Sequence, residues 1–172
     1  NSSSGSDGWG KWGSASADDT GSAKGIKAAS ALVFTGGTVT VDSSDDALHS
    51  NGSVEISGGT FTLASGDDGV HADEALLISD CKMEITKSYE GLEGANITVT
   101  GGSISVTASD DGLNAAGGAD ASSLGGRPGQ NSFGASSAYY IKIEGGEITV
   151  NAGGDGIDSN GSISMTGGAL YI

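Results

Sequence analysis

This sequence predicts an all-β fold, a right-handed single-stranded parallel β-helix, and three observations carry that prediction. A short acidic phrase returns at a near-constant interval: Asp46, Asp68, Glu90 and Asp111 lie 22, 22 and 21 residues apart, and Asp155 follows after 44. A glycine pair returns with it, at Gly36-Gly37, Gly58-Gly59, Gly101-Gly102, Gly145-Gly146 and Gly167-Gly168. Between these marks, apolar and polar residues alternate with the period of two that a half-buried strand requires. A fixed period of this length marks a solenoid, in which each repeat is one coil that buries its apolar side against its neighbours. The right hand is the one that parallel strand connections overwhelmingly take.

The unit beginning at Ala47 shows one coil in order. A first strand runs from Ala47 to Ser50, a second through Val54-Glu55-Ile56-Ser57 and a third through Thr60-Phe61-Thr62-Leu63. Gly58-Gly59 turns the corner between the last two, where glycine supplies the positive φ of a tight bend. Stacked coils align equivalent residues into inward columns. One column reads Ile26, Leu48, Val70, Leu92, Leu113, Ile157; a second reads Phe34, Ile56, Ile78, Val99, Ile143, Met165; a third reads Val41, Leu63, Ile85, Val106, Val150, Ile172. These ladders supply a narrow core to a chain that is only 35% hydrophobic and 5% aromatic. Leucine-rich repeats share the period but need Leu and Asn at fixed places that this chain lacks, and calcium-binding nonapeptide repeats have a period of nine.

The domain layout follows from where the repeat holds. Residues 1–23 are rich in Ser and Gly and read as a linker or N-terminal cap, with Trp9 and Trp12 as an apolar plug for the open end. The β-helix covers residues 24–172 and is interrupted at about 117–137 by a Gly, Ser and Ala rich insertion carrying Arg127, Pro128 and Phe133. The last coil stops at Ile172 in mid-strand, so a further segment of a longer chain or a capping molecule is expected there. Cys81 is the single cysteine and stands where other coils carry the second corner glycine.

A net charge of −15 argues against nucleic acid and anionic membranes as partners. No apolar run reaches the roughly 18 residues of a membrane span.

The chemistry gathers at the corner between the third strand of one coil and the first strand of the next. The outermost column there reads Asp45, Asp67, Tyr89, Asp110, Gly154. Beside it run Lys24, Asp46, Asp68, Glu90, Asp111, Asp155, and then Lys27, His49, His71, Glu93, Asn114, Asp158. Carboxylates about 5 Å apart repel by roughly 1 kcal/mol in water and by more at a shielded surface. A cation is therefore expected between coils. Calcium takes about six to eight oxygens at about 2.3–2.6 Å, so oxygens on opposite sides of one ion lie about as far apart as neighbouring strands. Several calcium ions are expected, with Asp45, Asp46, Asp67, Asp68, Glu90, Asp110, Asp111, Asp155 and Asp158 as ligands. Magnesium demands shorter bonds, and an all-oxygen set suits zinc poorly.

Three neighbours have alternative readings. Lys24 offers a cation of its own to the first acid. His49 and His71, stacked in adjacent coils, form either a transition-metal pair or exposed histidines bonded to nearby acids, the second being favoured. Tyr89 either stacks on a pyranose face or packs over the corner.

The phrases Ser109-Asp110-Asp111-Gly112-Leu113-Asn114 and Ser44-Asp45-Asp46-Ala47-Leu48-His49, followed by an alternating Ile-x-Ile-x-Gly-Gly-x-Ile-x-Val pattern, resemble the carbohydrate-binding β-helix domain of secreted clostridial and related bacterial proteins. The resemblance spans about residues 24–172. It implies a pectate-lyase-like fold, calcium along the acidic corner, a secreted or cell-surface location and binding of plant cell-wall polysaccharide such as cellulose or polygalacturonate. Tyr89 and Gly154 depart from the motif. The expected sugar contacts are Tyr89, His49, His71, Glu93, Asn114 and Arg127, with no catalytic residue. The rival is a pectate lyase, which needs a basic residue to remove a proton beside the uronate carboxylate, with Lys87 as candidate base. A structural or ice-binding solenoid, prompted by Thr38, Thr40, Thr60 and Thr62, is disfavoured because Lys82, Glu84 and Glu147 break that array.

Overall fold

The protein is described by a computed structural model for residues 23–116 and 138–172. Its strands form a parallel β-solenoid of about six turns with about 22 residues each, and no described residue is helical. Rung one carries β1 (Ile26–Ala28) and β2 (Ala31–Asp42), rung two β3 (Leu48–Ser50) and β4 (Ser53–Ala64), and rung three β5 (Val70–Ile78) and β6 (Lys82–Lys87). Rung four carries β7 (Leu92–Val99) and β8 (Ser103–Ala108), rung five β9 (Leu113–Ala115), β10 (Tyr140–Ile143) and β11 (Glu147–Ala152), and rung six β12 (Ile157–Ser159), β13 (Ser162–Met165) and β14 (Ala169–Tyr171).

Every strand pair among the described residues is parallel and joins equivalent positions of neighbouring rungs. The first column holds throughout: Ile26 faces Leu48, Leu48 faces Val70, Val70 faces Leu92, and Leu113 stands between Leu92 and Ile157. The columns through Ile56 and Leu63 hold likewise from Phe34 to Met165 and from Val41 to Val150. Two further inward columns complete the core. Leu32, Val54, Leu76, Ile97, Ile141 and Ile163 form one, and Val39, Phe61, Met83, Ile104, Ile148 and Leu170 the other. Phe34 meets Phe61 edge to face at 5.3 Å between ring centroids. Coils two to five bury these side chains almost completely, whereas Ile163 and Met165 in rung six stay exposed because no described rung covers them.

The corner glycines behave as the pattern predicts at their second member, where Gly59 has φ +113° and Gly102 φ +94°. Rung three does without this device: Cys81 takes the position, is buried, and none of the described non-glycine residues has a positive φ. The next described strand after β9 is β10, in the same rung, which pairs with β7 below and β13 above. The acidic corner is thus continuous through all six rungs. The N-terminal segment with Trp9 and Trp12, and the insertion with Arg127, lie outside the described residues.

Candidate functional site

Backbone hydrogen bonds place the corner acids above one another. The amide N–H of Ala47 donates to the Asp68 carbonyl at 2.9 Å, Gly69 to Glu90 at 3.0 Å, Gly91 to Asp111 at 3.0 Å and Gly112 to Asp155 at 2.9 Å. Beside this ladder, strand register aligns Lys27, His49, His71, Glu93, Asn114 and Asp158. Both columns therefore form as the spacing predicts. Most of their side chains are buried. Asp46, Glu90, His49 and Asn114 are at most 1% exposed, and Asp45, Asp67, Asp68, His71 and Asp111 are also buried.

The first rungs neutralise their acids with the chain's own cations. Lys24 Nζ donates to Asp46 Oδ2 at 2.7 Å and lies 3.3 Å from Asp45 Oδ1. His49 Nδ1 meets Asp46 Oδ2 at 2.7 Å. Burial alone would raise the Asp46 carboxyl, but the hydrogen bonds from His49 and Lys24 outweigh it and hold the group below its ordinary value. Asp46 Oδ1 accepts the Asp68 N–H at 3.1 Å, and Asp45 Oδ1 accepts the Asp46 N–H at 3.0 Å.

His71 is surrounded by acids. Its Nδ1 lies 3.0 Å from Asp68 Oδ2 and also contacts Glu93, and its Nε2 lies 2.9 Å from Asp73 Oδ1. Burial disfavours its charged form, yet the bonds to Asp68 and Glu93 prevail and push its pKa up to about 12. Asp68 is itself held well above the usual carboxylate range, first by burial and then by Glu93. One imidazolium thus faces three carboxylates.

The histidine pair corrects one expectation. The two rings stack at 4.7 Å with an angle of 11°, bonded to neighbouring acids as anticipated, but buried and not exposed. Ligand atoms of Asp46, His49 and His71 do lie within 4.8 Å of one another. Parallel rings, however, aim their lone pairs side by side, whereas imidazoles sharing one metal must converge on it at about 2.0–2.1 Å. The stacked pair therefore suits charge neutralisation better than a transition metal.

Among the described residues the later rungs have no such cations. No ion pair among the described residues reaches Glu90, Asp110, Asp111, Asp155 or Asp158. Burial, then repulsion from Asp68, pushes Glu90 up to about 8 despite the Asn114 Nδ2 donation to its Oε2 at 2.9 Å. Asp111 is raised by burial and by Asp110, Asp158 and Asp155, although its Oδ1 accepts the Asp155 N–H at 2.7 Å. The carboxylates of Asp110 and Asp111 pack against Gly154: a Cβ at that position would lie 2.6 Å from both Asp110 Oδ1 and Asp111 Oδ1. The Asn114 Oδ1 is buried without a hydrogen-bond partner. Hard oxygens from several rungs, with no cationic side chain of the described residues paired to them, suit a hard divalent cation such as calcium.

Tyr89 is half-buried in the outer column, with its N–H donating to the Asp67 carbonyl at 2.7 Å. Glu93 is half-buried and Asp155 exposed, while His49, His71 and Asn114 are enclosed in the stack. Lys87, the candidate lyase base, is exposed at the end of β6 and makes no ion pair with a described acid. Asp73 was missed in the sequence; its place two residues after His71, pointing to the same side of the strand, was the available signal.

A family model described as carbohydrate-binding domain-containing protein matches residues 3–69 and 67–172. No curated protein and no solved structure matches the chain.

Proposed function

The chain belongs to the carbohydrate-binding domain-containing family, and from that premise we propose that it is an extracellular, calcium-dependent module that binds plant cell-wall polysaccharide, cellulose or polygalacturonate, without catalysing its cleavage. The family match supports the carbohydrate-binding role directly. The finer reading rests on one observation: Glu90, Asp110 and Asp111 stack with no cationic side chain of the described residues to offset them.

Asp110, Asp111 and Asp155 would hold the ion, with Glu90 and Asp158 beside them. Bound calcium supplies positive charge between coils and an attraction for uronate carboxylates. The protein's own share is to fix those oxygens on a rigid ladder and to present a polar strand face to the sugar. An acidic chain of net charge −15 repels a uronate polymer on its own, so the cation makes that attraction possible. Tyr89 and Glu93, half-buried at this corner, are open enough to meet a sugar ring.

The test is retention on insoluble polygalacturonate and on cellulose, with millimolar calcium or with chelator. Retention on pectate that chelator abolishes supports the proposal. Equal retention in both buffers removes calcium from it, and failure to bind either polymer in calcium removes the named ligands.

A further inference from the structure

We propose that the outward face of β10 is a subsite for a uronate residue, in which the Tyr140 ring stacks on the pyranose and the Lys142 ammonium pairs with its carboxylate. This rests on the carbohydrate-binding reading above and selects the acidic polymer of the two named there. The acidic corner precedes the first strand of each coil, whereas β10 is the second strand of its coil, so the subsite stands on a different side of the solenoid.

Strand alternation creates the pair. β10 reads Tyr140-Ile141-Lys142-Ile143, and Ile141 and Ile143 are buried in the core columns, so Tyr140 and Lys142 face outward together. Tyr140 is half-buried and Lys142 exposed. Register sets Asn96 and Ser162 beside Tyr140, and Thr98 and Ser164 beside Lys142. Neighbouring strands lie about 4.8 Å apart and alternate residues of one strand about 6.6 Å apart, so these six side chains form one continuous patch. Thr98, Ser162 and Ser164 bring hydroxyls that donate or accept, as sugar hydroxyls require.

The ammonium marks the ring as accessible. Lys142 Nζ lies 4.2 Å from the Tyr140 ring centroid, and because Lys142 is exposed, the ring face that it covers is turned to the surface and not to the core. Glu144 follows at the next outward position of β10, yet among the described residues Lys142 makes no ion pair. Its charge is held by the ring alone, and a cation–π contact at an exposed site is weak. A carboxylate offers that ammonium a stronger, charge-assisted partner. A uronate supplies both halves of the exchange: an apolar pyranose face to cover the ring and a carboxylate to receive the displaced ammonium. A neutral sugar supplies only the first.

Position adds selectivity. The residues level with Lys142 in the other coils are Val33, Glu55, Leu77, Thr98 and Ser164, so the column offers a uronate its cation at rung five. On a chain of net charge −15, that unpaired charge beside an aromatic ring decides where an acidic sugar docks.

The experiment is affinity electrophoresis of the whole chain in gels containing polygalacturonate or its fully methyl-esterified form, each mobility referred to a gel without polymer. Runs in calcium and in chelator are compared, and circular dichroism confirms folding. Lys142→Met is expected to lower affinity for polygalacturonate relative to the ester by about tenfold in both buffers, the loss of one bond to a charged group. Lys142→Arg, which keeps the charge, should hold the wild-type ratio. Tyr140→Ala is expected to weaken retention in both gels. Lys82→Met makes the same change of charge on the outward side of β6 and should alter neither. A folded Lys142→Met chain with the wild-type ratio, or a folded Tyr140→Ala chain with wild-type retention, overturns the subsite while polysaccharide binding stands. A wild-type chain retarded by neither polymer overturns the subsite and, where cellulose also fails to retain it, the reading beneath it. Should Tyr140→Ala fail to fold, the two Lys142 variants decide.

Discussion

His49 and His71 stack face to face, 4.7 Å between centroids, and each turns its Nδ1 to the aspartate three residues before it, Asp46 and Asp68 respectively. One sequence phrase repeated a coil later has reproduced one side-chain geometry. His71, with Lys24, supplies positive charge where the acids would otherwise repel.

Lys24→Met should destabilise the fold by about 3–5 kcal/mol in chelator, the range for removing one partner of a buried ion pair. Lys24 and Asp46 are both enclosed, so solvent screening offers little relief. Urea unfolding followed by circular dichroism checks it. A loss under about 1 kcal/mol, the range of exposed pairs, would show that the contact is solvated.

Glu90 should make the calcium-free protein less stable as pH rises. Its folded pKa of about 8 lies above the 4.5 of an unperturbed glutamate, so the native state keeps a proton that the unfolded chain releases. The associated stability is present below about pH 4.5 and is lost as pH climbs through about 8. His71, raised to about 12 from 6.5, acts with the same sign over a higher window, from about 6.5 to 12. Thermal melts in chelator should give a Tm that falls from pH 5 to pH 8, with a shallower fall in Glu90→Gln. A Tm that climbs over that interval contradicts the assignment.

Gly154→Ala should separate ion binding from folding. The new Cβ would meet Asp110 Oδ1 and Asp111 Oδ1, both ends of short side chains that are able to swing away. Stability should change by under about 1 kcal/mol, as at most surface positions. Calcium affinity should fall at least tenfold by calorimetry, because the oxygens must part. Unchanged affinity would place the ion elsewhere.

Phe61→Ala should cost about 3–5 kcal/mol, the usual penalty for removing a buried aromatic. Phe61 is buried between Val39 and Met83 in its column and meets Phe34 edge to face, so the loss opens a cavity across adjoining coils. Denaturant midpoints measure it. Because coils contact only their neighbours, hydrogen exchange should quicken most in rungs one to three.

The repeat period alone determined the coils, their parallel register, three of the inward columns and the corner glycines. The reason is arithmetic: once residues about 22 apart must stack, alternation within each strand decides which side chains face inward. The two columns through Val54 and Phe61 were legible by the same rule and simply went unread. The alignment of Asp46, Asp68, Glu90, Asp111 and Asp155 was legible for the same reason. Burial at the corner was not, because a turn rich in Asp and Gly reads as solvated until the coils above and below are in place. The cation that Lys24 offers the first acid was legible in the column and is seen at Asp45 and Asp46, whereas only the tertiary structure showed that Asp73 joins His71 and that the Asp110 and Asp111 carboxylates pack against Gly154. Those contacts depend on side-chain direction and enclosure, which a one-dimensional period does not encode.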